Sequence, residues 1–251
     1  MPLNRTSTLW TDLKELTQSL LYEKQRNCLL CDTPIIEGKE ICPLCEQNYF
    51  HPELGRCVHC GKLILQDHIE CKDCEEGRGP KGLDKVVAWG HYTGAWREFI
   101  QAVKFKSQPY RLKRIAQPLA TWAIDKLPPP NFLVPVPMHL ERIAERGFNQ
   151  AAGIASLLHW ELGIPLLEVL ERTSITVPQV GLSRSERLQN LRGAFYVPSH
   201  DNVRRIRGAR IWIIDDVTTT GTTLEACATE LKQSGAKEVF GLTLAAGLEK
   251  K

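Results

Sequence analysis

The chain has 251 residues, of which 43% are hydrophobic and 24% are charged, and its formal net charge is +3. This length suits one domain of ordinary size plus a small one, with enough residues to bury a core. No apolar run approaches the roughly 20 residues that a membrane span needs, and residues 1–5 lack the apolar core of a signal peptide. These features predict a cytoplasmic protein without a membrane span.

The charge is unevenly distributed along the chain. Residues 1–80 carry 9 Lys and Arg against 13 Asp and Glu, a net −4, whereas residues 81–251 carry 23 against 16, a net +7. The overall charge therefore does not favour nucleic-acid binding. Only the local excess in the C-terminal part is compatible with it.

The first 25 residues form a separate segment. Leu9, Leu13, Leu16 and Leu20 recur at three- and four-residue spacing, which predicts an amphipathic helix over residues 7–25. We expect its apolar face to pack on the rest of the protein rather than on a membrane surface.

Eight of the nine cysteines form four C-x-x-C pairs within 47 residues. Tetrahedral zinc takes four thiolates, and two pairs facing each other supply them. A disulfide framework is the competing account, but the chain carries no secretion signal. We predict two structural zinc sites in a double zinc ribbon over residues 26–80. The proposed ligands are Cys28, Cys31, Cys42, Cys45, Cys57, Cys60, Cys71 and Cys74.

The spacing leaves two ways of combining the cysteine pairs. If neighbouring pairs combine, the first and second pairs share one metal and the third and fourth share another. If alternate pairs combine, the first joins the third and the second joins the fourth. We favour the neighbouring arrangement because each ribbon then closes a short loop. His51, His59 and His68 are interpreted as polar loop residues rather than ligands.

A linker over residues 75–82, rich in Gly and charge, separates the ribbons from a region in which strands and helices alternate. This alternation predicts a parallel α/β sheet in residues 83–249. Residues 171–197 are polar and basic with few core candidates, so we predict an arm or hairpin there. The predicted strands are 86–92, 132–135, 166–170, 211–214 and 238–245, and the predicted helices are 95–105, 109–127, 147–162 and 224–233.

The chain is organised around Ile211-Trp-Ile-Ile-Asp215-Asp216-Val-Thr-Thr-Thr-Gly221-Thr-Thr-Leu224. This stretch predicts a strand that ends in two acids, a loop rich in Thr and Gly, and a helix. In parallel sheets, ligands bind beyond the carboxyl ends of the strands. Backbone N–H groups of such a loop, together with the helix N-terminus, bind phosphate. A nucleotide P-loop is poorly supported because the chain lacks G-x-x-x-x-G-K-[ST].

A phosphorylated sugar fits this stretch best. Asp215 and Asp216 would accept hydrogen bonds from vicinal ribose hydroxyls. The alternative is a purely structural role, in which the strand ends in two solvated acids before an ordinary Thr-capped helix. The stretch resembles the phosphoribosyl pyrophosphate (PRPP) signature of type I phosphoribosyltransferases. The residues expected to hold the 5-phosphate are Thr219, Thr220, Gly221, Thr222 and Thr223.

Several motifs occur in a fixed order behind the cysteine pairs: Val134-Pro-Val-Pro137, Arg146-Gly-Phe-Asn-Gln150, Leu182-Ser-Arg184 and the loop after Asp215. Together they resemble the ComF family of bacterial competence proteins. The resemblance implies a type I phosphoribosyltransferase-like parallel sheet with helices on both faces, preceded by a small double zinc-ribbon domain. It also implies a cytoplasmic role in natural transformation, with the ComF-type helicase and recombination mediators as partners.

The resemblance implies PRPP as ligand, bound together with Mg²⁺. Asp215 and Asp216 would favour the positive charge that develops on the ribose as pyrophosphate leaves, which makes them the candidate catalytic residues. Lys104 would add a cation. By analogy with the fold, the residues expected to meet the pyrophosphate are Pro135, Val136, Pro137, His139 and Arg142.

We predict a PRPP-binding, phosphoribosyltransferase-like protein that acts in natural competence, and three hypotheses about its activity stay open. The first is an active phosphoribosyltransferase of nucleotide or base metabolism with an unknown acceptor. The second is a module that binds single-stranded DNA, with Phe148, Phe195 and Tyr196 available for stacking, although we expect Phe148 and Phe195 to pack in the core. The third is a non-catalytic zinc-ribbon adaptor. The candidate DNA contacts are Arg146, Arg184, Arg187, Arg192, Arg204, Arg205 and Arg207.

Overall fold

The computed structural model describes residues 26–35, 38–51, 55–64, 68–105, 108–173, 191 and 193–247. The helix predicted over residues 7–25 and the predicted DNA contacts Arg184, Arg187 and Arg192 lie outside the described residues. The chain divides into two compact units, Met1–Cys45 and Glu46–Lys251. None of the described helices is long and apolar enough to cross a membrane.

The described part of the first unit contains a small two-stranded ribbon. Strand β1 (Arg26–Asn27) pairs antiparallel with β2 (Pro34–Ile35). Between them the Cys28 N–H donates to Thr33 O at 2.8 Å and closes the first C-x-x-C turn. Helix α1 (Pro43–Tyr49) begins directly after Cys42 and carries Cys45 on its buried side.

The second unit contains a parallel sheet surrounded by helices, with a short antiparallel pair beside it. Parallel strands need crossover connections, and here these connections contain helices. The elements are α2 (Lys72–Glu75), β3 (Lys85–His91), α3 (Gly94–Phe105), a 3₁₀ turn (Pro109–Leu112), α4 (Lys113–Lys126), β4 (Phe132–Pro135), α5 (Leu140–Arg146), α6 (Gln150–Leu162), β5 (Glu171–Arg172), β6 (Phe195–Tyr196), α7 (His200–Ile206), β7 (Arg210–Thr218), α8 (Thr222–Gln233) and β8 (Glu238–Ala246).

The parallel sheet has the strand order β3-β8-β7-β4. The central strands β7 and β8 are each nine residues long, and Trp212 of β7 is paired with Phe240 of β8. The apolar run 211–214 of β7 and nearly all of β8 are buried, which is typical of parallel strands covered on both faces. The fold class predicted from the sequence is confirmed.

Helices pack on the sheet through apolar side chains. Trp96 of α3 is fully buried, donates from Nε1 to the Leu244 carbonyl of β8 at 3.1 Å, and stacks on Phe99 with ring centroids 5.0 Å apart. On α8, Leu224 and Cys227 join the core cluster that contains residues of β7. Cys227 is therefore a small core residue, as its position in the predicted helix indicated.

Both edge strands of the sheet are covered by short segments of chain. The segment with Cys57 and Cys60 lies against β3, and a Cβ added to Gly61 would stand 2.9 Å from the Ala88 nitrogen. Arg56 donates to the Trp89 carbonyl of the same strand at 2.9 Å. On the opposite edge, the Leu133 N–H of β4 donates to Pro165 O at 2.9 Å.

Two sequence-based expectations differ from the structure. Residues 166–170 do not form a strand, because only Leu166 makes a bridge, to Leu133. Strand β7 continues beyond the acids to Thr218, since its pairing with β8 extends to Ala246. The described ends of the arm form the short antiparallel pair β5–β6, but the arm region also contributes core: Leu191 and Phe195 are buried.

Candidate functional site

Two clusters of four cysteines lie in the described part of the chain. They are Cys28/Cys31/Cys42/Cys45 and Cys57/Cys60/Cys71/Cys74, and within these clusters the ligand atoms lie no more than 4.8 Å from one another. Neighbouring C-x-x-C pairs therefore combine, and the alternate arrangement is wrong because each cluster closes through adjacent turns. All eight residues are free thiols rather than disulfides.

The spacing of the sulfurs suits a tetrahedral metal. The Sγ atoms of Cys31 and Cys42 are 3.7 Å apart, and those of Cys60 and Cys71 are 3.5 Å apart. Four thiolates at about 2.3 Å from zinc would stand roughly 3.8 Å from one another. Both clusters thus fit zinc with no open position, as expected for structural sites. Nearby, His59 lies 2.9 Å from Glu70, so it pairs with an acid rather than joining a cluster.

The acid pair lies near the carboxyl end of β7. Asp215 Oδ1 accepts a hydrogen bond of 2.8 Å from the backbone N–H of Asp216. Burial and the negative charge of Asp216 raise the pKa of Asp215 to about 7, although Lys104, the Asp216 N–H and Arg172 act in the opposite direction. Two adjacent carboxylates withdrawn from water form a site that favours a positive ligand group or hydroxyl donors.

The loop after β7 leads directly into α8. Gly221 precedes the helix with φ +74°, a conformation that side chains with a Cβ rarely adopt, and a Cβ there would stand 2.8 Å from Pro80 Cβ. The hydroxyl oxygens of Thr220 and Thr222 are 3.2 Å apart, and Thr222 is buried. Thr219 is exposed and Thr223 is partly buried. The loop with these hydroxyls and the start of α8 thus follow directly on the strand that carries the acids.

The loop after β4 lies beside the same strand end. Strand β4 ends at Pro135, which lacks an N–H, and the next N–H, that of Val136, donates to the Ile214 carbonyl of β7 at 2.9 Å. Pro137 follows, and His139 caps α5 by accepting from the Glu141 N–H. This backbone bond positions the predicted pyrophosphate loop next to Asp215 and Asp216.

The Arg146-Gly-Phe-Asn-Gln150 motif forms the junction between α5 and α6. Gly147 ends α5 with φ +82°. Asn149 caps α6, because its Oδ1 accepts from the Ala151 N–H at 3.0 Å while its Nδ2 donates to the Val136 carbonyl at 3.0 Å. One side chain thereby ties the start of α6 to the loop after β4. Phe148 is only partly buried.

Cations from α3 and β5 act on the acids. Lys104, in the last turn of α3, places Nζ 2.8 Å from Asp216 Oδ2. The Arg172 guanidinium of β5 lies 5.5 Å from the centroid of the buried Phe195 ring. Burial and the charge of Arg142 lower the pKa of Arg172, whereas Cys227 and Asp215 raise it. Arg172 thus acts on Asp215 as a positive charge, and Arg142 in turn acts on Arg172.

Sequence reasoning missed Arg172 as a site residue. It stands in no motif, and its position depends on the pairing of Arg172 with Phe195, 23 positions further along the chain. By contrast, the predicted DNA contacts Arg204, Arg205 and Arg207 lie on α7 or directly after it. They precede the amino end of β7, whereas the acids lie near its carboxyl end, so this basic cluster is separate from the acid pair.

The chain is similar to known proteins over most of its length. Residues 143–251 match the family model described as "Phosphoribosyl transferase domain". The chain is 34% identical over 197 residues to Competence protein F of Haemophilus influenzae, covering 75% of this chain and 84% of that protein. It is 28% identical over 208 residues to Competence protein ComFC of Streptococcus pneumoniae (81% and 86%), and 27% identical over 224 residues to DNA utilization protein YhgH of Escherichia coli (84% and 93%).

Fold and sequence match together define a protein with a phosphoribosyltransferase-type domain behind two four-cysteine clusters. The chain belongs to the ComF family.

Proposed function

We propose that the α/β domain binds PRPP at the carboxyl edge of its sheet. The observation that carries this proposal is the run from Asp215 and Asp216 through Gly221 into α8. Carboxylates accept hydrogen bonds from ribose hydroxyls, and N–H groups at the start of a helix bind phosphate. The match to the phosphoribosyl transferase model, which spans this run, supports the same assignment.

Each part of PRPP has a counterpart in this site. The 5-phosphate would bind in the loop of residues 219–223, and the ribose hydroxyls would bind Asp215 and Asp216. The pyrophosphate would meet Lys104, Arg142 and Arg172, together with the loop of residues 135–139. The three cations match the high negative charge of pyrophosphate, and the acids match the hydroxyls, so the charge distribution favours one orientation of the ligand.

The same residues would assist cleavage of PRPP at C1. As pyrophosphate leaves, positive charge develops on the ribose, and the carboxylates of Asp215 and Asp216 stabilise that charge. Holding both ends of the ligand in a reactive geometry contributes part of the rate enhancement of this cleavage. Mg²⁺, which prefers oxygen ligands and substrate phosphates, would neutralise charge on the pyrophosphate. Transfer to an acceptor would make the protein an active phosphoribosyltransferase, and pyrophosphate release is the measure of that turnover.

Calorimetric titration of PRPP with Mg²⁺ tests the binding site. We expect saturable binding to the parent protein and none to the double variant Asp215→Asn/Asp216→Asn, with zinc content unchanged. Equal affinity in the two proteins would refute the assignment. Pyrophosphate release, measured on the same samples with and without single-stranded DNA, distinguishes an enzyme from a protein that only binds the ligand.

A second candidate function is handling single-stranded DNA during natural transformation. The names of the relatives, competence protein and DNA utilization protein, support it. In the structure, the Arg146 guanidinium lies 4.9 Å from the centroid of the Phe105 ring, which is largely exposed. An exposed aromatic ring beside an arginine suits base stacking and phosphate contact. In this role the protein would act in the cytoplasm with the ComF-type helicase and recombination mediators.

Salt dependence tests the DNA proposal. Binding through several phosphates weakens steeply with salt, and loss of one contact lowers the slope by about 1. We therefore expect Arg146→Gln to lower the salt slope of oligonucleotide binding, and Phe105→Ala to weaken binding while leaving the slope unchanged. If affinity and slope are unchanged in both variants, this surface does not bind DNA.

We also propose that residues 26–80 form a double zinc ribbon with one zinc ion in each four-cysteine cluster, and that residues 83–249 form the phosphoribosyltransferase-like domain. Zinc would be a structural ion here, because four thiolates leave no position for substrate. Metal analysis of the purified protein should give two zinc ions per chain. A content of one or none would contradict the assignment.

A further inference from the structure

The ion pair between Lys104 and Asp216 occupies the position where the proposed function places a ribose hydroxyl. The Lys104 Nζ lies 2.8 Å from Asp216 Oδ2, and the side chains are only 17% and 13% exposed. A pair so far withdrawn from water is screened little by salt or solvent. The ammonium therefore competes with a ribose hydroxyl for Asp216 Oδ2.

The backbone that carries Lys104 is firmly held. Helix α3 is anchored to β8 by the Trp96 hydrogen bond, and Ala102 and Val103, just before Lys104, are buried. Directly after it, the Phe105 ring lies beneath the Arg146 guanidinium of α5. With the helix end held on both sides, the four-carbon stem of Lys104 is the part that adjusts when a ligand enters.

A ligand with pyrophosphate and a ligand without it would meet this lysine differently. Ribose hydroxyls alone must compete with the ammonium for Asp216. A pyrophosphate offers the ammonium several anionic oxygens, and hydrogen bonds to these oxygens replace the ion pair with Asp216. The same lysine then opposes one class of ligand and favours the other.

We propose that Lys104 is a specificity-determining residue, which holds Asp216 in the ligand-free protein and releases it to ligands that bring a pyrophosphate group. It excludes ribose 5-phosphate and accepts PRPP. The inference rests on the PRPP site proposed above. The field of Lys104 at the acid pair, which lowers the pKa of Asp215 against the effect of burial, agrees with this role.

The test is the affinity of two ligands, PRPP and ribose 5-phosphate, each titrated with Mg²⁺ into the parent protein and Lys104→Met. We expect Lys104→Met to lower the affinity for PRPP about tenfold or more, the usual scale for loss of a hydrogen bond to a charged group. The same change should raise the affinity for ribose 5-phosphate. Lys126→Met removes an exposed lysine that pairs with its neighbour Asp125 and should leave both affinities unchanged.

Lys104→Gln provides a second, less disruptive variant. Its amide keeps a hydrogen-bond donor for Asp216 but carries no positive charge for pyrophosphate. The affinity for PRPP should therefore fall, while the affinity for ribose 5-phosphate should stay unchanged. Parallel weakening of both ligands in Lys104→Met, or no change in either, would overturn the inference.

The binding site itself is tested separately by Asp215→Asn/Asp216→Asn. If PRPP binds the parent and not that double variant, the site stands whatever the Lys104 variants show. If PRPP does not bind the parent protein, both the site and the inference fail.

Discussion

The change Gly221→Ala tests whether the loop before α8 needs a glycine for two reasons, backbone conformation and close approach. Gly221 has φ +74°, and an added Cβ would stand 2.8 Å from Pro80 Cβ and 2.9 Å from Pro80 Cγ. Adopting the left-handed conformation costs an alanine about 1–2 kcal/mol. Overpacking against a ring of restricted conformation adds roughly 1–3 kcal/mol. We therefore expect a loss of about 2–5 kcal/mol in the free energy of unfolding.

Gly163→Ala is the matched control. Gly163 caps the end of α6 with φ +67°, close to the value at Gly221, but nothing lies within 4 Å of an added Cβ. It should cost only the conformational part, about 1–2 kcal/mol. The effect of alanine on the unfolded chain is similar in the two variants and cancels in their difference.

Urea unfolding of both variants measures this difference, and calorimetry adds PRPP affinity. Gly221→Ala should be the less stable variant and should lose PRPP affinity, because relief of the contact with Pro80 shifts the loop. Gly163→Ala should bind as the parent does. Equal losses of stability in the two variants would refute the close-approach argument.

The remaining predictions concern charge and metal. Folding raises the pKa of Asp215 from 3.8 to about 7, so its contribution to stability is fully present below pH 3.8 and is lost as the pH rises through 7. Asp215→Asn should therefore gain stability relative to the parent between pH 4 and 7, by at most about 1.4 kcal/mol per pH unit, and a pH-independent difference in urea unfolding would contradict this. Arg172→Gln should weaken PRPP binding about tenfold, as expected for the loss of a hydrogen bond to a charged group. An unchanged PRPP affinity in calorimetry would contradict this prediction. Cys71→Ser should lower soluble yield and leave one zinc ion per chain, whereas two zinc ions would sink the ligand assignment.

Much of the sheet and its order of elements could be predicted from the sequence because the signals are local. The apolar run before Asp215 and the apolar periodicity of α3 each indicate one element without reference to the rest of the chain. The observed α3, Gly94–Phe105, differs from the predicted 95–105 by a single residue. Strand β4 ends at Pro135 as predicted.

What the sequence did not indicate depends on contacts between distant segments. The bridge at Leu166 replaces a predicted strand because the following residues, Leu167 to Leu170, do not continue the pairing. Arg172, which acts on Asp215 as a charge, lies on β5, and β5 pairs with the distant β6. The choice between the two cysteine arrangements also required three dimensions, because both satisfy the same C-x-x-C spacing.

The cover on strand β3 includes two residues of the second four-cysteine cluster. An edge strand with free N–H and C=O groups is a template on which other chains can pair and aggregate. The segment bearing Cys57 and Cys60, through Gly61 and Arg56, covers that template. If zinc binds the second four-cysteine cluster as proposed, its removal would loosen this cover and expose β3 to pairing with further copies of the chain. That cluster would then limit self-association as well as stabilise the ribbon.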